Sequence, residues 1–260
     1  MKKLKGSIVP ILILILWWSG SKFNMFNSYI IPAPERVVQT AWNLIKKGLL
    51  IKHLGVSLYR VFIGFCITFV IAFPLAIIVG MKKKVYEYLE PILEFIRHIP
   101  PIALIPMLIL WFGIGEISKI SVIVLATFFP VFLNTLNGVM NCDGKLIEVG
   151  KVFDFNKKQE FFKIILPQAM PSIIVGMQLG LGYSWRSLVA AELIAASTGI
   201  GYMINDAEQL SRPDIIIVGI FTIGIVGCCV DYIFIKITNI FIHIDRRKAN
   251  YGGSENKEFI

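Results

Sequence analysis

Along the chain, long hydrophobic stretches alternate with short clusters rich in Lys, Pro and Gly. A helix rises about 1.5 Å per residue, so about 20 mostly apolar residues cross a hydrocarbon core about 30 Å thick. The segments that approach this length are Ser7 to Phe26, Ser57 to Met81, Ile99 to Gly115, Ile120 to Met140, Ser172 to Ala196 and Ile215 to Phe241. The pattern predicts an all-α membrane protein with about six transmembrane helices. The third candidate follows Pro100 and Pro101 and contains Pro106. Proline lacks a backbone donor and clashes with the preceding turn, so a bend or break is expected there.

Lys2, Lys3 and Lys5 ahead of Ile8 to Trp18 have the layout of a secretory signal, with Ser19 and Ser21 as a weak cleavage site. Trp17 and Trp18 instead resemble an interfacial anchor, and the rest of the chain is too apolar for a secreted domain, so a retained first helix is expected. With those lysines in the cytoplasm, six crossings put both termini on the inner side. About 16 basic residues then lie inside, among them Lys82, Lys83, Lys84, Arg97, Lys145, Lys151, Arg246 and Arg247, against about 8 outside, as the positive-inside rule requires. Between the first two spans, Val37, Val38, Ala41, Trp42, Leu44 and Ile45 approximate helical spacing after Pro32 and Pro34, which predicts an outer amphipathic helix. The resulting division is residues 1–56 for the first helix and outer segment, 57–245 for the main membrane body with an inner loop at 141–168, and 246–260 for a cytoplasmic tail.

Composition agrees: of 260 residues 56% are hydrophobic and 17% charged, outside the range of soluble domains. The net charge of +9 comes from residues that punctuate apolar runs rather than from one basic face, which excludes a nucleic-acid reading. Cys66, Cys142, Cys228 and Cys229 form no CxxC pair, and His53, His98 and His243 share no ligand spacing, so no metal site is expected. Gly138 to Leu146 fails as a phosphate-binding loop, because its glycines are misspaced and Lys145 is followed by Leu. A membrane-embedded enzyme lacks a nucleophile and base set, and an ion-gradient-driven transporter would call for buried coupling acids and an inverted repeat.

The inner loop is the most informative segment. Leu146, Ile147, Val149, Val152, Phe153 and Phe155 are interleaved with charges, and Phe161 to Leu166 lead into Pro167. Such a segment forms short amphipathic helices that lie on lipid headgroups or offer a face to a partner. It resembles the cytoplasmic signature loop of ABC importer permeases, an acidic residue and two alanines, three residues, a glycine, nine residues, then I-x-L-P. Glu148 takes the acidic position, Val149 and Gly150 replace the alanines, Asp154 stands at the glycine, and Ile164, Leu166 and Pro167 complete the pattern without a gap. A glycine at that place suits positive φ, which Asp tolerates better than most residues. RHIPPIALIPMLILWFGIGEISKI, LVAAELIAASTGIGYMI, IPAPERVV and LPQAMPSIIVGMQLGLGYSW are similar to the nitrate, sulfonate and taurine branch of these permeases.

That resemblance implies a type I, MetI-like permease fold, in a cell-membrane subunit without ATPase chemistry. It also implies a homodimer, a pair of cytoplasmic ABC ATPase subunits that bind the ATP and engage the loop around Glu148, and an external solute-binding protein. The implied cargo is a small anion such as an alkyl sulfonate, taurine or nitrate, with a thiamine-precursor pyrimidine as the alternative. Arg186 lies about 21 Å into the fifth span at 1.5 Å per residue, and a guanidinium there suits an anionic solute. Ser184, Trp185, Arg186, Ser187 and Glu192 are therefore the candidate pathway residues. Arg186 has two other readings, snorkelling to the interface or pairing with an acid on another helix, and a structural role suits Glu192 and Asp231.

Overall fold

The computed structural model describes residues 2–23, 25 and 27–251, and the side chains of 8–23, 25 and 27–238. The described residues are helical throughout, apart from short turns: α1 (Lys2–Lys22), α2 (Pro34–Lys46), α3 (Leu49–Gly80), α4 (Lys83–Arg97), a 3-10 turn (Pro101–Leu104), α5 (Ile105–Phe112) and α6 (Glu116–Met140). Then come α7 (Gly144–Val152), α8 (Lys157–Glu160), a π-helical turn (Phe161–Ile165), α9 (Leu166–Ala195), α10 (Ile200–Gln209) and α11 (Pro213–Tyr251). The tail expected over 246–260 falls, beyond Tyr251, outside the described residues.

By length and composition, α3, α6, the 157–195 helix and α11 can each cross a membrane, and α4 with the helical segment 101–112 forms a bent pair of the kind seen in broken spans and re-entrant loops. Two of the six expected spans, the first and the third, differ from the rest. The first helix, Lys2–Lys22, runs over 21 residues, of which the side chains of 8–22 are described and form an apolar helix. The third span is not one rod. The two helices of the bent pair meet at 78°, because Pro100 and Pro101 supply no backbone donors where the helix would have to continue. α4 occupies residues 83–97, the stretch that the charge pattern assigns to an inner connection. The expected amphipathic helix forms as α2, with Pro34 in its first turn and Val37 buried against Leu50, Ile200, Met203 and Val218.

The centre of the molecule is α6, packed between α3 and α9. Ala72, Ala76 and Val79 of α3 meet Val131, Phe132 and Leu136 of α6. In lipid, apolar side chains gain little by leaving one hydrocarbon for another, so close packing of small residues and interhelical hydrogen bonds hold such pairs. Both are present. The Thr68 and Thr127 hydroxyls lie 2.6 Å apart across the α3–α6 seam. A methyl group at Gly176 of α9 would come within 2.9 Å of the Pro130 carbonyl oxygen and 2.7 Å of Asn134 Cβ, so only glycine lets the two backbones approach this closely.

Candidate coupling surface and solute cavity

The loop that carries the signature pattern is locally well determined. The Asp143 carboxylate accepts from the Lys145 N–H at 2.9 Å and caps α7. At the other end the Asp154 N–H donates to Lys151 O at 3.0 Å, and the Phe155 N–H to Gly150 O at 2.9 Å. This pair of bonds is the Schellman arrangement, which places its C′ residue in the left-handed region. Asp154 occupies that position with φ 54°. The turn therefore forms with Asp where the signature has glycine. Asn156 and Gln159 then exchange side-chain bonds, Gln159 N–H to Asn156 Oδ1 at 2.9 Å and Asn156 N–H to Gln159 Oε1 at 3.0 Å, which starts α8.

Gln168 at the start of α9 ties the loop back, its Oε1 accepting from the Asp143 N–H at 2.9 Å and the Cys142 thiol at 2.8 Å. Burial pushes the Cys142 thiol up, so it stays protonated and can donate. Gly150 is buried: a methyl group there would sit 2.7 Å from Ile164 Cδ1, so glycine at the second alanine position lets α7 fold onto the segment that ends in Pro167. The result is a surface with Glu148 exposed and Val149, Val152, Phe153 and Phe162 left uncovered, Val152 at 81% and Phe153 at 70% exposure. Leu146, Val149, Phe153, Ile164 and Pro167 frame a concavity of about 430 Å³ beneath it.

The five pathway candidates do not share one site. The Ser184 hydroxyl is buried and donates to Leu181 O at 2.7 Å. Trp185 is buried against α3 and α11, its indole N–H donating to Ile223 O at 3.1 Å. Arg186 lines a groove of about 240 Å³ between α9 and α11, together with one side of Trp185 and with Asp231. Glu192 is fully buried and belongs to an ion cluster. Of the five, only Ser187 borders a separate cavity of about 440 Å³. α9 gives that cavity Leu179, Tyr183 and Ser187, one side chain per turn, and α6 gives Leu125, Phe129 and Asn134. Arg97, His98 and Ile99 close one end, where the Arg97 guanidinium pairs with Glu94 at 2.8 Å.

The ion cluster centres on Arg60 of α3, fully buried. Its guanidinium donates to both Glu116 oxygens at 2.6 Å, to Glu192 Oε1 at 2.7 Å and to Thr198 O at 2.6 Å. Glu192 also accepts from the Ser57 hydroxyl at 2.8 Å and the Gly201 N–H at 3.0 Å, so a carboxylate of the chain itself fills the N-terminus of α10. Gly199, at φ +122°, brings the backbone against that carboxylate. Sequence reasoning missed Arg60, Glu116 and Tyr183. Arg60 falls in the first turn of a predicted span, where a basic residue reads as an interfacial one, and a tyrosine among apolar neighbours carries no signal of its own.

Residues 72–239 match the family model described as the binding-protein-dependent transport system inner membrane component. The chain is 38% identical over 245 residues to the "Putative aliphatic sulfonates transport permease protein SsuC" of Bacillus subtilis, covering 94% of this chain and 86% of that protein. It is 36% identical to the protein of the same name from Escherichia coli K12, over 86% of this chain and 85% of that one. Among solved structures, a chain of the inward-facing MetNI methionine ABC transporter superposes with a TM-score of 0.57 at 18% identity, covering 72% of this chain and 96% of that one. The helical bundle and the signature loop thus define a membrane permease. The chain belongs to the family of binding-protein-dependent transport system inner membrane components, and it is the permease subunit of an ABC importer in the inner membrane.

Proposed function

We propose that this permease imports aliphatic sulfonates, powered by a separate cytoplasmic ATPase that docks on residues 141–168. The observation that carries the reading is the uncovered apolar face of the signature loop. Val152 and Phe153 sit at the tip of α7, facing away from the bundle, beside the exposed Glu148. A face of this kind in a loop braced by caps at both ends suits a partner better than open water. ATP is bound by that partner, and closure of two ATPases rocks two copies of this chain between inward-open and outward-open states. Glu148, Val149, Gly150, Asp154, Ile164, Leu166 and Pro167 are the coupling residues. An external binding protein delivers the solute, and both termini face the cytoplasm. The sulfonate assignment rests on the two relatives that carry that name.

Glu148→Arg tests the docking. The variant is expected to fold with unchanged thermal stability, because the side chain is exposed, and to lose the ATPase in pull-down from detergent. A variant that still copurifies the ATPase and transports overturns the assignment of the loop. Uptake of radiolabelled ethanesulfonate by vesicles with the complete importer tests the cargo, with nitrate and taurine as competitors. Absence of ethanesulfonate uptake together with uptake of labelled nitrate would replace sulfonate with nitrate.

A further inference from the structure

The cavity between α6 and α9 has an uneven chemistry. Leu125, Phe129, Leu133 and Leu179 make most of its wall, and its polar groups are few: the Tyr183 phenol, the Ser187 hydroxyl and the Asn134 amide along the wall, with His98 and the Arg97 guanidinium, the latter already paired with Glu94, at one end. Tyr183 and Ser187 stand four residues apart, so they lie one turn from each other on the same side of α9. Among the described residues, neither hydroxyl is taken up by another side chain or by the backbone. Asn134 already donates to Pro130 O at 2.8 Å, which leaves its amide oxygen fixed in direction. Small-molecule sites typically have this composition, an apolar concavity with a few convergent polar groups. Arg186 is adjacent in sequence to Ser187 but lies about 100° around the helix, in the groove shared with Asp231.

We infer that the solute passes through this cavity, with the Tyr183 and Ser187 hydroxyls donating to its oxyanion head and Leu125, Phe129 and Leu179 against its alkyl tail, and that Arg186 does not touch it. This rests on the importer reading above and adds to it a residue-level path. A bare inorganic anion has no use for the apolar wall. An alkanesulfonate uses both halves, since its three oxygens accept from hydroxyls while its chain avoids water. Neutral donors suit a transit site as well, because they desolvate the head without the deep well that an unpaired guanidinium would create in a low-dielectric surrounding.

The test replaces Cys66, Cys142, Cys228 and Cys229 by serine or alanine and introduces Tyr183→Cys, Ser187→Cys or Arg186→Cys, each in the assembled importer in nanodiscs. The probe is 2-sulfonatoethyl methanethiosulfonate, itself a small alkyl sulfonate. The cysteine thiolate attacks its sulfenyl sulfur, a mixed disulfide forms and methanesulfinate leaves. Thiolate requires water, so reaction reports a hydrated path. Cysteines at 183 and 187 are expected to react at least about tenfold faster than at 186, and excess pentanesulfonate to slow them severalfold. Tyr183→Phe is expected to raise KM for sulfonate uptake several times while leaving binding-protein-stimulated ATP hydrolysis in place. Equal reactivity at all three positions, or labelling at 187 that sulfonate does not slow in an importer with intact sulfonate uptake, overturns the inference. An importer that takes up another solute but no sulfonate defeats the cargo assignment instead. The same labelling with that other solute as protectant then decides the role of the cavity separately.

Discussion

Arg60 joins three helices and a loop through one guanidinium, and the neighbouring Lys119 reaches Glu116 at 3.2 Å. The Arg60 partners Glu116 and Glu192 are 56 and 132 residues away in sequence. Truncating a buried ion pair on one side typically costs about 3–5 kcal/mol, mostly because the other charge is left without a counter-ion. Arg60→Ala should accordingly lower thermal stability in detergent strongly, whereas Arg60→Ala with Glu192→Gln, which removes the stranded charge, should be the milder variant. Equal loss in both would show that Glu192 does not depend on Arg60. Asp154 offers a smaller case. A non-glycine residue in the left-handed region carries about 1–2 kcal/mol of strain, less for Asp than for branched residues. Asp154→Gly should keep ATPase association and gain up to about 1 kcal/mol, and Asp154→Val should lose at least as much, as read by thermal melts of the two variants. The two residues also differ in legibility. Asp154 is found by counting along a local pattern, and its φ follows from a turn of a few residues. Arg60 is defined by distant partners that only the folded chain brings together.

At the scale of elements, the spans of α3, α6, α9 and α11 are legible because lipid demands long apolar runs, and those runs leave a trace that needs no knowledge of neighbours. The helix α4 does not show, because Lys83, Lys84, Glu87, Glu90 and Glu94 make it look like a connection. It is in fact a helix with Tyr86, Leu89 and Leu93 packed on the α3–α6 core. The candidate pathway was only partly legible for a related reason. Residues 184–187 are contiguous in sequence, but a helix turns about 100° per residue, so the run spreads over faces with different neighbours. What fixes the faces is the α6–α9 seam. Gly176→Ala should separate these backbones and cost about 1–3 kcal/mol, since a Cβ would meet the Pro130 carbonyl oxygen and Asn134. Gly182, in the same helix, has open space at its Cβ position, and Gly182→Ala should gain up to about 1 kcal/mol from helix propensity alone. Opposite signs in the two melting temperatures are the expected result, and a comparable loss at both positions would remove the seam from the argument.

Considered whole, the molecule has two ends with different constructions. At the α10 end, Arg60, Glu192 and the backbone of residues 198–201 form a closed set of charge-assisted bonds, so that end is held shut by internal partners. At the α7 end, the loop is braced by caps but presents apolar side chains with nothing on them. A permease needs this asymmetry if force enters from one side, because a rigid loop can carry a push into α9 only when its outer face is free to be gripped. The two kinds of residue in the loop should then separate cleanly. Val152→Asp and Phe153→Asp, at 81% and 70% exposure, should leave stability within about 0.5 kcal/mol of the parent, as surface substitutions usually do, while abolishing ATPase pull-down and ATP-dependent uptake. Ile165→Asp, one of the buried residues that anchor the loop to Val139, Ala169 and Ile173, should lose the fold itself. Melting temperature and pull-down measured on all three variants make the comparison. Retained ATPase binding by both exposed variants would mean that the push enters elsewhere on the molecule.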